Sequence, residues 1–172
     1  MPTDCHRSTA SATLLFVLCM NSFGIGQEFA WRPSQQTALD DVKQREVELK
    51  KVNQQIWEFA EVGLEETRSS QLLVTKLKEA GFEVRVGVAN MPTAFVATYG
   101  SGKPVIGILA EYDALPDLSQ KVSPVLDPVE AGKPGHGCGH CGLGTGALGA
   151  ALAVKSAMEK HRIPGTLRLY GT

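Results

Sequence analysis

The chain has 172 residues, 43% of them apolar, with 17 basic against 18 acidic side chains. These figures describe a single soluble globular domain and exclude a disordered or fibrous chain. The charges are interspersed and form no basic stripe with interleaved aromatics, so nucleic acid is not an expected partner.

At the N-terminus His6 and Arg7 precede an apolar run from Ala12 to Met20, and Gly24 and Gly26 sit at −3 and −1 of a cut before Gln27. This pattern predicts a secretory signal peptide over 1–26, hence export to a periplasm or the medium and no stable membrane association after cleavage. The run is shorter than the roughly 20 apolar residues of a membrane span. A lipid anchor on Cys19 is disfavoured by the bulky Phe16 and Leu18 before it. Cleavage would remove Cys5 and Cys19 and leave Cys138 and Cys141, a pair too close to staple much chain as a disulfide.

From Gln35 to about Val62 helix formers carry an apolar stripe of Leu39, Val42, Val47, Leu49, Val52, Ile56 and Phe59, predicting one long helix. A second helix is expected from about Glu65 to Ala80, with Leu72, Leu73 and Leu77 inward and Gly81 as its stop. The period then changes to two. Phe82–Val86 and Thr93–Tyr99 read as strands, and the continuously apolar Val105–Ala110 reads as a buried one. Leu143 to about Lys160 is a further helix, rich in Gly and Ala for close packing, and a last strand starts at Gly165. Together these elements imply an α/β sandwich.

Two carboxylates, Glu111 and Asp113, follow the apolar strand, at the end where open α/β sheets bind ligands. The polar loop Asp117 to Pro134 after them is long enough to suggest that it borders a site. It leads into Gly135-His136-Gly137-Cys138-Gly139-His140-Cys141-Gly142. In extended backbone His136, Cys138 and His140 would share one side, and a thiolate with an imidazole two residues on begins a zinc site. Zinc needs three or four ligands, so others must come from elsewhere.

Two competing motifs overlap this block. Cys138-Gly139-His140-Cys141 has the spacing of a dithiol oxidoreductase, so an exported thiol–disulfide or non-catalytic binding module is the alternative reading, although such motifs belong early in a βαβ unit. Gly144-Thr145-Gly146-Ala147-Leu148-Gly149 matches a dinucleotide fingerprint but neither follows a strand directly nor precedes an acid at the next strand's end.

The segments Ile56–Glu61, Met91–Ala97, Gly107–Pro116 and Pro134–His140 resemble, in combination, the M20 metallopeptidase and amidohydrolase family, in its aminobenzoyl-glutamate hydrolase branch. The resemblance runs from about Gln35 to Thr172. It implies a zinc-peptidase-like α/β/α sandwich with a mixed sheet, one or two divalent ions (zinc or manganese, with cobalt also open), and cleavage of an amide bond in a small N-acyl or aminobenzoyl amino acid bearing a free carboxylate. It further implies metal ligands at Cys138 and His140, with Glu111 and His136 as further candidates and Asp113 supporting the metal shell. Cys141 stands where relatives carry Asp or Asn, which leaves metal number open. The resemblance also implies that 27–172 is the N-terminal part of the catalytic domain, ending before the general-base glutamate and without the lid domain. On that expectation the chain is inactive alone, and full-length relatives form homodimers or hetero-oligomers.

Overall fold

The computed structural model describes residues 30–172, so the signal peptide expected over 1–26 lies outside the described residues. The elements are α1 (Pro33–Gln44), α2 (Glu46–Phe59), α3 (Thr67–Glu79), β1 (Glu83–Val86), β2 (Phe95–Ser101), β3 (Val105–Ala110), α4 (His140–His161) and β4 (Gly165–Gly171). The strands form one mixed sheet in the order β1-β2-β4-β3, with β3 and β4 parallel and the other pairs antiparallel. The expected mixed α/β architecture is therefore present. β4 alternates, with Leu167 and Leu169 buried while Arg168 and Tyr170 are exposed, so one face of the sheet carries the core.

α4 crosses from β3 back to β4 and packs on both strands. Its Leu148 and Leu152 join Ile56 of α2, Leu73 and Leu77 of α3, and Phe95 of β2 in one apolar cluster. Burial of side chains this size contributes about 1.5–3 kcal/mol each.

Two expectations need correction. The long first helix is two, broken at Arg45, whose ψ of 2° departs from helical geometry. No Gly or Pro marks the break. It lets α1 lie along α4, where Thr37 Oγ1 meets His161 Nε2 at 2.9 Å, while α2 turns Val52 and Ile56 into the core. Leu39, Val42 and Val47 of the predicted stripe stay exposed. The second correction concerns β3. It forms where expected, but β4 inserts between it and β2, leaving β3 at the sheet edge with Ile106 and Leu109 more than half exposed.

Candidate active site

β3 delivers Glu111, Tyr112 and Asp113 to the sheet's edge. Alternation separates their roles: Tyr112 is fully buried and donates its hydroxyl to Thr93 O at 2.7 Å, while its two neighbours face a cleft. Burial pushes the Tyr112 phenol well above its usual range, so it stays protonated and keeps its donation to Thr93 O. The following residues are pinned in place. Ala114 N–H donates to Glu61 O at 2.7 Å, and Leu115 and Gly135 exchange backbone hydrogen bonds of 3.0 Å. Glu61 also caps α3, accepting from the backbone N–H groups of Arg68 and Ser69.

That Leu115–Gly135 bridge closes the long loop on itself and turns it from the cleft. Contrary to expectation, Asp117–Pro134 contributes nothing to the cleft wall; it lines a neighbouring groove of about 410 Å³ with Trp57 and Phe59.

α4 starts at His140 behind Gly139, whose φ of +82° is left-handed. One turn on, Gly144 lies so close to β3's end that a Cβ would stand 2.8 Å from Glu111 O. This close approach brings the His140 ring between the two carboxylates. Nδ1 lies 2.6 Å from Asp113 Oδ1, and Nε2 lies 3.3 Å from Glu111 Oε2. The Asp113 carboxylate accepts from a ring N–H at Nδ1, and when Nε2 carries no proton its lone pair turns toward Glu111. Two acceptors then face each other, and a shared cation is what such a pair can hold.

This arrangement suits a metal in kind. Donors each about 2.1 Å from a tetrahedral ion stand roughly 3.4 Å apart, close to the observed 3.3 Å between Nε2 and Oε2. A carboxylate on the other nitrogen is the usual support of a ligating histidine. Among the described residues, however, no three His, Cys, Asp or Glu side chains converge to hold an ion together, so the pair requires further donors.

The remaining candidates lie apart. His136 Nε2 is 3.0 Å from Ile56 O, to which it must donate, and its Nδ1 accepts from Cys141 N–H at 3.3 Å. Both nitrogens are engaged, and burial lowers its pKa, favouring the neutral ring. The shared side expected of His136, Cys138 and His140 required extended backbone; residues 137–138 instead form a turn, closed by Gly139 N–H to His136 O. Cys138 is exposed on that turn and Cys141 is buried; neither is disulfide-bonded. Burial raises the Cys141 thiol's pKa. Alkylation at neutral pH with peptide mapping should therefore label Cys138 quickly and spare Cys141. Equal labelling would mean that the turn opens in solution.

The cleft, of about 330 Å³, also contains Glu66 and Thr93, which by sequence pattern belong only to a helix start and a strand. No local pattern could have joined them to His140.

No family model matches the chain. It is 48% identical over 118 residues to a subunit of the p-aminobenzoyl-glutamate hydrolase of Escherichia coli K12, covering 68% of this chain and 24% of that protein. It is 33% identical over 123 residues to the hippurate hydrolase of Campylobacter jejuni, covering 72% of this chain and 30% of that one. A crystal structure of a Bacillus subtilis dinuclear metal-binding peptidase from the M20 family superposes with a TM-score of 0.62 at 25% identity, over 75% of this chain and 35% of that one. The chain thus spans about a quarter to a third of the length of the curated relatives it matches.

Proposed function

The chain belongs to the M20 family of metallopeptidases and amidohydrolases, and from that premise we propose that it contributes a metal-supporting half-site to an amide hydrolase. The proposed substrate is an N-acyl amino acid with a free carboxylate, of the aminobenzoyl-glutamate kind that the Escherichia coli relative's name specifies. The observation that carries the reading is His140, held by Asp113 on one nitrogen and opposed by Glu111 on the other at the end of β3.

His140 Nε2 and the Glu111 carboxylate are the proposed ligands; Cys138, which the resemblance also implies, stands on the exposed turn outside the cleft and would have to swing in to join them. Asp113 fixes the ring's tautomer and orientation. His136 is omitted because both its nitrogens are engaged. The ion is proposed as zinc or manganese, one or two per site, a divalent class consistent with the thiol, imidazole and carboxylate donors. When bound, such an ion polarises the scissile carbonyl and makes water a stronger acid. The chain's own residues would hold and orient it, while Tyr112 and Gly144 keep the strand end against α4. Export, and assembly with a second kind of chain as the Escherichia coli relative's name implies for that protein, are parts of the same proposal.

Because the described residues supply only part of a ligand set, the 172-residue chain assayed alone is expected to bind a divalent ion without turnover. The test is release of 4-aminobenzoate from 4-aminobenzoyl-glutamate with added zinc or manganese. Clear turnover by this chain would overturn the inactivity, and failure to bind either ion would remove the hydrolase reading.

A further inference from the structure

Among the described residues the sheet has two edges, and they are built differently. β1 is four residues long and sets the charged Glu83 and Arg85 on its rim, the usual guard against stray pairing. β3 is six residues long, Val105–Ala110, and carries neither charge nor proline within it. Val105, Ile106 and Leu109 are each half or more exposed, although a strand that pairs in parallel is ordinarily buried on both faces. The backbone of this edge is open in a defined pattern. Pro104 O and Ala110 O accept from the N–H groups of Thr166 and Thr172, near the two ends of β4, at 2.8 and 3.0 Å. Even-numbered groups thus face β4, and by alternation the N–H and C=O of Val105, Gly107 and Leu109 point away from the sheet.

We infer that the β3 edge pairs antiparallel with the same edge of a second copy of this chain, joining two sheets across a twofold axis at Gly107. Only registers that set odd residues against odd ones bring the outward groups together. Centring on Gly107 sets Val105 opposite Leu109, and Ile106 opposite Ile108, of the other copy, so apolar side chains meet apolar ones along the whole strand. The strand's ends favour a second copy over an unrelated strand. Lys103, before the strand, is exposed and makes no ion pair with a described residue, and Glu111, just after it, has a side chain 40% exposed. The same register sets Lys103 of each copy against Glu111 of the other, giving two opposite-charge contacts related by the axis. On the helix side Ile106 and Ile108 border an apolar hollow of about 310 Å³ beside Val154 and Met158 of α4, and the second copy extends that surface with its own Ile106 and Ile108. Such a contact uses the same edge on both copies and therefore stops at two.

Sedimentation of the 172-residue chain across a concentration series, with chelator present so that no ion competes for Glu111, should show a monomer–dimer equilibrium and nothing larger. In the dimer the amides of Val105, Gly107 and Leu109 should exchange with solvent deuterium at least about tenfold more slowly than in dilute monomer. The even-numbered amides of β3, already facing β4, should change little. Lys103→Glu sets carboxylate against carboxylate twice and should raise the dimer's dissociation constant about tenfold; adding Glu111→Lys should restore it to within about threefold. Leu109→Lys, at an exposed edge position, should leave the chain folded and monomeric. A chain whose three edge amides stay fast and that remains monomeric throughout would overturn the inference, leaving the edge to a strand of a different chain and the hydrolase reading intact. An open run of larger species, or Lys103→Glu without effect on the dimer, would overturn it as well. Should Leu109→Lys fail to fold, as read by circular dichroism, amide exchange of the unaltered chain still decides.

Discussion

Replacing His140 with Ala is expected to weaken zinc or cobalt binding by the chain at least ~100-fold, whereas His136→Gln is expected to leave it unchanged. The two imidazoles are close in sequence and differ in what their nitrogens do. His140 has Nδ1 on Asp113 and directs Nε2 at Glu111, so one nitrogen remains for a cation. His136 donates through Nε2 to Ile56 O and accepts through Nδ1 from Cys141 N–H, so neither remains. Asp113→Asn should lie between, at about 10–100-fold, because the ring loses the partner that orients it and raises its basicity. Competition with a chromophoric chelator measures all three. If His136→Gln abolishes binding while His140→Ala does not, the ion sits on the other side of the turn and the proposed ligand set is wrong.

Gly144→Ala is expected to destabilise the chain by about 1–3 kcal/mol in denaturant unfolding. The reversed sign of the usual rule makes this decisive. Ala in a helix interior is ordinarily favoured over Gly by about 0.8–1.0 kcal/mol. Gly146, two residues on, has nothing within 4 Å of a built Cβ, so Gly146→Ala should stabilise by roughly that amount. At Gly144 the same methyl would stand 2.8 Å from the backbone oxygen of Glu111 and 3.2 Å from Tyr112 Cβ. Backbone cannot swing aside as a flexible side chain can, so α4 and the strand end must separate. That separation moves His140 from its carboxylates, and Gly144→Ala should therefore also weaken metal binding while Gly146→Ala does not. Two stabilising substitutions would mean that α4 does not approach β3 this closely.

Local chemistry was enough to find the strands and most helix ends within a few residues, because period-two alternation and Gly or Pro punctuation are written in neighbouring positions. It also identified Glu111, Asp113 and His140 as one constellation, through a strand end and a glycine-spaced block together with the family resemblance. The break at Arg45 was hidden, since no helix-breaking residue marks it and packing of α1 on α4 requires it. The edge position of β3 was hidden too. An apolar parallel strand reads the same wherever it stands, and only insertion of β4 decides its neighbours.

Residue types and spacing, then, determined that an imidazole and two carboxylates would be near one another, because those positions fall at a strand end and a helix start. Tertiary structure alone decided which nitrogen each histidine offers, that Cys138 stands on an exposed turn, and that Glu66 joins the cleft from a distant segment. The reason is physical. Hydrogen-bond partners such as Ile56 O and Thr93 are supplied by segments far along the chain, and no local period encodes which distant backbone atom a buried side chain will meet.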